Sequence, residues 1–450
     1  MLELLEKLSS QQYHKDIFNS LKEQDAQIYQ LIIKEYERLH NTIQLIAAEN
    51  QCSQPVLAAL GSIVQNKTTE GFPGSRFHGG CEVVDNIENI ATARAKQAFG
   101  AKYANVQPHS GTNANQIIIT ALLERDDTIL SLGMDQGGHV SHGANVSFSG
   151  KFFKVQNYNV NKSSYLLDYD AIKAMAIAFK PKLIICGATA YSRTIDFEKF
   201  REIADRVGAY LLADISHIAS LVIAGAHPSP INHAHFTTTS TYKPGGPRGG
   251  LILMGNDFDR MITIGDKTVP LCKLIEKTTF PGVQGTPYLN NIAAKAVFFN
   301  ETLSEQYKTR QFKIIENAKR LASNFIDLDY DVLTGGTDNH MVLINISNSI
   351  KGMSGIIAQQ CLEDCGIIIN MNQLPYDDKS AAVTSGIRLG TPIVTKNGMG
   401  DEEIDSITSM VDTVLRKVKV LSENKYELDN TVKDELLGKV KQLAGRFPLR

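Results

Sequence analysis

Residues 183–216 read LIICGATAYSRTIDFEKFREIADRVGAYLLADIS, and their patterning decides the fold. Two short apolar runs, LIICG (183–187) and AYLLADIS (209–216), each end in polar residues, and FEKFREIADRVG (197–208) between them carries a helical pattern. This is a strand, a helix and a strand. Similar alternation from about residue 90 to 300 predicts a mostly parallel sheet covered by helices on both faces. Ligands of such sheets bind at the carboxyl ends of the strands, which directs attention to Asp214, Ser216 and His217. From about residue 300 the texture changes. A long helical run to Leu328 is followed by hairpin-like strands around MVLINIS (341–347) and GIIIN (366–370), and then by a helical tail. The pattern predicts a smaller second domain, with no internal repeat, low-complexity segment or long linker.

Composition limits the function classes. With 450 residues and 43% hydrophobic content the chain can bury a substantial core. A formal charge of -2 argues against a nucleic-acid footprint, and no apolar stretch approaches the roughly 18 residues of a membrane span. Residues 1–40 are amphipathic and mixed in charge, unlike a signal peptide. The six cysteines, Cys52, Cys81, Cys186, Cys272, Cys361 and Cys365, lack metal-ligand spacing and read as reduced thiols. A cytoplasmic location without nucleic-acid or membrane partners is expected.

The stretch TSTYKPGGPRGG (239–250) places Lys243 between hydroxyl side chains and a loop too rich in glycine and proline to be helical. It is not a nucleotide P-loop, because GxxxxGK[ST] is absent and Lys243 precedes its glycines. An enclosed lysine can instead serve as a Schiff-base amine; an isolated one is ordinarily a surface charge. SGTNAN (110–115) runs into the helical pattern QIIITALLE, so Ser110, Gly111 and Thr112 stand at a helix N-terminus, either as a phosphate cup or as a simple cap. Asp214 at a strand end is either a turn residue or a carboxylate that holds a pyridinium proton.

Taken together these residues resemble the serine hydroxymethyltransferase family. NKTTEGFPGSRFHGG (66–80), YANVQPHSGTNAN (103–115), GGHVSHG (137–143), ADISHIA (213–219), TYKPGGPRGG (241–250), FPGVQG (280–285), GGTDNH (335–340) and TSGIRLGTP (384–392) occur in the family's order, within a likeness that spans roughly residues 30–420. The resemblance implies a fold-type I pyridoxal-phosphate transferase: an α/β large domain with a mostly parallel seven-stranded sheet, plus a smaller α+β C-terminal domain. The corresponding boundaries are a helical arm at 1–50, a large cofactor-binding domain at 51–305 and a small domain at 306–450.

By the same resemblance Lys243 would be the Schiff-base lysine, with Tyr242 beside it. Ser110, Gly111 and Thr112 would hold the cofactor phosphate together with Gly285. His139 would stack on the ring, Asp214 would bind its nitrogen, and His217 its oxygen, with Ser192 close to the same edge. Arg388 would grip the substrate carboxylate as a bidentate fork. Glu70 would handle the hydroxyl proton and the folate, and Met134, Val140 and Asn372 would complete the tetrahydrofolate pocket. Two chains would complete each site, NKTTEG and FPGVQGTP coming from the neighbour, so a homodimer or a pair of dimers is expected.

Departures cluster at the centre. Ala48 replaces a serine in LIAAEN, Thr68 and His78 replace tyrosines, Phe77 lacks a tyrosine hydroxyl, Tyr242 replaces a histidine and Thr286 a glycine. Thr68, Ala48 and His78 would open space beside the substrate's α carbon, which points to 2-methylserine as well as serine. Three readings follow: a folate-dependent hydroxymethyltransferase, a folate-independent aldolase or threonine transaldolase, and a cofactor-binding pseudoenzyme. Retention of Lys243, Asp214, Arg388 and Glu70 argues against the third; the folate positions favour the first.

Overall fold

The computed structural model describes residues 11–449. Its larger sheet has strands β1 (Tyr103–Asn105), β2 (Thr128–Leu132), β3 (Lys154–Tyr158), β4 (Leu183–Cys186), β5 (Tyr210–Asp214), β6 (Phe236–Ser240) and β7 (Gly250–Met254). They lie in the order β1-β7-β6-β5-β4-β2-β3. Strand β7 runs antiparallel to both neighbours, and every other pair is parallel. This is the mostly parallel seven-stranded sheet expected from the sequence. Alternate residues feed opposite faces: Ile184, Cys186, Leu211 and Ala213 enter one apolar core, while Leu183, Ile185 and Leu212 enter another. Because both faces are covered, β4 is apolar without interruption rather than alternating.

The opening stretch folds as read. Its helix spans Phe197–Val207, and Asp196 caps it by accepting from the Lys199 amide at 3.0 Å. Such a cap contributes about 1 kcal/mol. Gly208 ends the helix at φ 71, a left-handed conformation that other residues adopt reluctantly. Asp214 is then the last residue of β5, so the crossover delivers its carboxylate to the carboxyl edge of the sheet.

The C-terminal part begins with the helix Glu305–Asp327 and builds an antiparallel sheet of β8 (Asp331–Val332), β9 (Met341–Asn345), β10 (Asn370–Asn372) and β11 (Gly386–Gly390), in the order β8-β9-β11-β10. Here one expectation is corrected. MVLINIS and GIIIN do not form a hairpin, because β11 inserts between them with Arg388 opposite both Leu343 and Asn370. GIIIN is also divided, since Ile367–Ile368 pairs in parallel with Ile43–Gln44. That pairing draws Ile43 and Leu45 into the core of the C-terminal sheet beside Val342, Ile344, Ile387 and Leu389. The segment that follows, with Ala48 and Asn50, thereby reaches the boundary between the two sheets. Among the described residues no helix is long and apolar enough to cross a membrane.

Candidate active site

Asp214 is the centre of a buried polar network. Asn115 Nδ2 donates to its Oδ2 at 2.8 Å, and His142 Nε2 lies 3.0 Å from the same oxygen. Since a carboxylate only accepts, that imidazole nitrogen is the donor. The backbone amide of Ser216 donates to Oδ1 at 3.0 Å and the Ser216 hydroxyl at 2.6 Å. Burial alone would raise the carboxyl pKa. Hydrogen bonds from His142 and the Ser216 hydroxyl, with the neighbouring His142 and His139 rings, outweigh it and hold Asp214 far below the usual carboxylate range. The group is therefore a fixed negative charge.

Three further imidazoles of this region, His139, His217 and His340, are each held below their ordinary range by burial. His139 Nδ1 accepts from the Ser141 amide at 3.2 Å and sits 2.7 Å from the Ser141 hydroxyl. Asn115 Nδ2 in turn donates to that hydroxyl at 2.9 Å, so Ser141 donates onward and leaves the His139 proton on Nε2. Burial lowers His139 to about 4 against the pull of Asp214. His217 is pushed well below its ordinary value by burial and then by the charges of Lys243 and Arg388. It stacks on His340 with ring centres 5.9 Å apart. His340, lowered to about 4 by burial, places its Nε2 3.1 Å from the Ala47 carbonyl, to which it can only donate. The Nδ1 atoms of His217 and His340 are buried without a hydrogen-bond partner.

Lys243 lies in the loop between β6 and the antiparallel β7. Its Nζ is 3.4 Å from Ser240 Oγ and 5.1 Å from the centre of the Tyr242 ring. The Arg248 guanidinium also lies over the Tyr242 ring, 4.3 Å from its centre. Asn50 Nδ2 holds the Lys243 carbonyl at 3.1 Å. The Ser240 amide donates to the Ser216 hydroxyl at 2.9 Å, which connects this loop to Asp214.

Ser110 caps the helix Gly111–Leu122, its hydroxyl accepting from the Asn113 amide at 3.1 Å. The first amides of a helix have no acceptor within it, so Gly111 and Thr112 offer N–H groups at a positive helix end. A Cβ at Gly111 would lie 3.2 Å from the Ser240 amide nitrogen and 3.4 Å from Ser216 Oγ. The lack of a side chain at Gly111 keeps the cup open just where the end of β6 and the loop after β5 converge.

Arg388 is buried and pairs with no carboxylate among the described residues. It donates from Nε to Asn370 Oδ1 at 3.1 Å and from Nη1 to the Thr189 carbonyl at 2.6 Å. Burial brings it down to about 10, with Tyr242 working in the opposite direction. An unpaired buried guanidinium fits an anionic substrate group. Ser192 lies in the same loop as Thr189. Its Oγ meets Thr334 Oγ1 at 3.1 Å and its carbonyl receives the Asp338 amide at 2.8 Å, which docks GGTDNH onto the sheet edge.

Other expected residues stand apart from this group within one chain. Thr68 and His78 are exposed, and Phe77 keeps 75% of its surface accessible while touching Phe280 edge-on at 5.4 Å. Among the described residues no hydrogen bond joins Thr68, His78 or Glu70 to Lys243, Asp214 or Arg388. Glu70 belongs with FPGVQG: a Cβ at Gly285 would lie 3.7 Å from Glu70 Oε1. Thr286 follows in the same loop. Met134 and Val140 are exposed at 53% and 39%, and Asn372 is half-buried, its Nδ2 donating to the Gln373 carbonyl at 2.6 Å.

Sequence reasoning passed over Asn115, Ser141, His142 and His340, although each lies inside a motif already quoted for a neighbour. It also passed over Lys295, a lysine with apolar residues on every side in NIAAKAVFF, where a charge among apolar helix positions was the available signal.

A cofactor with a dianionic phosphate, a protonated ring nitrogen and a ring oxygen fits these groups: donating helix amides, an accepting carboxylate and the orphaned His217 Nδ1, all converging near one amine. Comparison with known proteins agrees. The family model described as serine hydroxymethyltransferase matches residues 21–411. A serine hydroxymethyltransferase of Rickettsia akari (strain Hartford) is 48% identical over 432 residues, covering 96% of this chain and 98% of that protein. A protein of Rickettsia bellii (strain RML369-C), described as a probable serine hydroxymethyltransferase, is 46% identical over 435 residues, covering 96% and 99%. The chain belongs to the serine hydroxymethyltransferase family, fold-type I enzymes that use pyridoxal phosphate with tetrahydrofolate as cosubstrate.

Proposed function

We propose that this chain is a hydroxymethyltransferase that reversibly cleaves the bond between Cα and Cβ of a β-hydroxy amino acid and passes the one-carbon unit to tetrahydrofolate, using 2-methylserine at least as well as serine. The observation that carries the reading is the convergence of Lys243, the anionic Asp214 and the uncompensated Arg388 at one sheet edge. Pyridoxal phosphate, when bound, supplies an electron sink whose strength depends on a protonated ring nitrogen.

Asp214 would keep that proton in place, and its hydrogen bonds leave it no freedom to rotate away. Lys243 would hold the cofactor's carbonyl carbon. The Gly111 and Thr112 amides, with Ser110 and a Gly285 loop, would hold the phosphate. His139 would lie against the ring, and His217 would meet the ring oxygen beside Ser192. Arg388 would orient the substrate through its carboxylate. Glu70 would move the hydroxyl proton, with Met134, Val140 and Asn372 on the folate side. The exposure of Thr68, Phe77 and His78 supports a site completed across two chains of a homodimer or a pair of dimers.

Substrate choice follows from volume. Thr68 lacks an aromatic ring, Ala48 lacks a hydroxyl, and His78 is smaller than a tyrosine, so a methyl on Cα gains room. Burying that methyl favours the larger substrate by about 1 kcal/mol. The test compares kcat/KM for serine and 2-methylserine with tetrahydrofolate present, and repeats both without it. A strong preference for serine overturns the 2-methylserine assignment; equal turnover without tetrahydrofolate replaces the transferase reading by the aldolase one.

A further inference from the structure

We infer that Lys295 is a positioning residue: its ammonium ties the segment leading into the Ser110–Thr112 cup to the neck of the Lys243 loop, and so sets the spacing between the two. The inference rests on the reading that these two elements hold the cofactor.

Lys295 lies on the helix Leu289–Thr302 and is among the largest fully buried side chains, 1% exposed. Its Nζ donates to the carbonyls of Val106 at 2.6 Å, Pro108 at 3.3 Å and Gly250 at 2.8 Å. Val106 and Pro108 precede Ser110, whereas Gly250 begins the strand that leaves the Lys243 loop. One ammonium therefore bridges two segments far apart in sequence. The Gly250 amide also donates to the Pro108 carbonyl at 2.8 Å, and the Thr241 amide closes the loop neck on the Gly249 carbonyl at 3.0 Å.

The two glycines after Arg248 leave room for this clamp. A Cβ at Gly249 would lie 2.5 Å from Lys295 Cε and 2.8 Å from its Nζ, and a Cβ at Gly250 would lie 2.1 Å from the Ser110 carbonyl oxygen. Desolvating an ammonium is strongly unfavourable, and a methionine of similar length would pack in the same apolar helix without that penalty. What methionine cannot do is donate to three carbonyls at once. Burial brings the Lys295 ammonium down to about 7, with the charge of Glu88 opposing. The three carbonyl acceptors are what favour the ammonium against that desolvation.

The experiment uses the full chain with Lys295→Met. Hydrogen exchange of the cofactor-free protein is expected to speed up about tenfold in Val106–Thr112 and Gly249–Leu251, and the dissociation constant for pyridoxal phosphate to rise by at least about tenfold. Val440→Ala, which destabilises the C-terminal core, serves as the control and leaves both quantities unchanged. Exchange and affinity within twofold of the parent (about the scatter of such measurements), or changes matched by Val440→Ala, overturn the inference. Should Lys295→Met not fold, Gly249→Ala displaces the same ammonium without removing it and must give the same signature in milder form; parental behaviour there overturns it equally. Failure of the unmodified protein to bind pyridoxal phosphate would instead sink the cofactor reading, and the exchange result alone would then decide the clamp.

Discussion

Asp214 receives hydrogen bonds from Asn115, His142 and Ser216 and is 8% exposed, whereas Thr68 lies on the chain surface together with His78 and Phe77. Both regions carry residues expected at one site. The first is enclosed within a single chain: sheet, helix end and loop close on each other, and both carboxylate oxygens of Asp214 are hydrogen-bonded. The second presents its side chains outward, although its backbone is firmly held. Arg76, its side chain only 3% exposed, donates to the Thr69 carbonyl at 2.9 Å and to Glu88 at 2.6 Å, and Gln107 joins the Gly71 carbonyl at 3.0 Å. On the proposed two-chain reading, this anchored loop with an exposed tip is the part that meets the neighbouring chain. The difference teaches that, of the residues expected at one site, one group is enclosed by its own chain while the other faces outward.

The severest way to break the comparison is to remove the amine from the enclosed region. Lys243→Ala is expected to abolish turnover and the yellow colour of the cofactor-loaded protein; a purified protein that stays colourless with added pyridoxal phosphate before any substitution would sink the enzyme reading. Next in size, Asp214→Ala removes a preorganised charge and should lower kcat by about 100-fold or more while weakening cofactor affinity. Near-normal rates in that variant would mean that the ring nitrogen faces another group.

The outward-facing region is best probed by mixing chains. If Glu70 acts at the neighbour's Lys243, a hybrid dimer of one Lys243→Ala chain and one Glu70→Gln chain contains one intact site, whereas each parent variant contains none. Mixing the two inactive proteins should then restore about a quarter of the normal activity, since about half of random dimers are hybrids with one working site. No restoration after verified subunit exchange would place Glu70 with its own chain's Lys243. Within the same region, Thr68→Tyr should cut the 2-methylserine to serine ratio of kcat/KM by roughly fivefold, at about 1 kcal/mol per buried methyl. An unchanged ratio would remove Thr68 from the substrate wall.

The smallest effect concerns pH. His139 and His340 are lowered to about 4 by burial, from an ordinary value of 6.5. Between those values the unfolded chain binds protons that the native state refuses, so stability is fully present above 6.5 and declines as pH falls toward 4. Melting temperature should fall over that window. His340→Gln, whose amide can still donate to the Ala47 carbonyl, should flatten the decline by the share of one histidine; an identical slope would show that His340 is protonated in the native state.

Much of this was legible in the linear chain. The apolar runs of 183–186 and 210–214, the capped helix between them and the Ser110 cap are local events, decided by side-chain periodicity and backbone hydrogen bonding within a few residues. So are the motif residues Lys243, Asp214 and Arg388, because chemistry needs those side-chain types wherever the chain places them. Non-local pairing was not legible. That Gly386–Gly390 separates two strands expected to pair, that Ile43 joins the C-terminal core, and that His340 stacks on His217 depend on which distant segments bury one another best. The protonation states lay equally out of reach, since the sequence names a titratable group but only the packed structure determines its desolvation and its neighbours. Lys295 shows the limit most clearly: its residue type announced a surface charge, and tertiary packing turned it inward onto three carbonyls because the energy of a charge is set by what surrounds it.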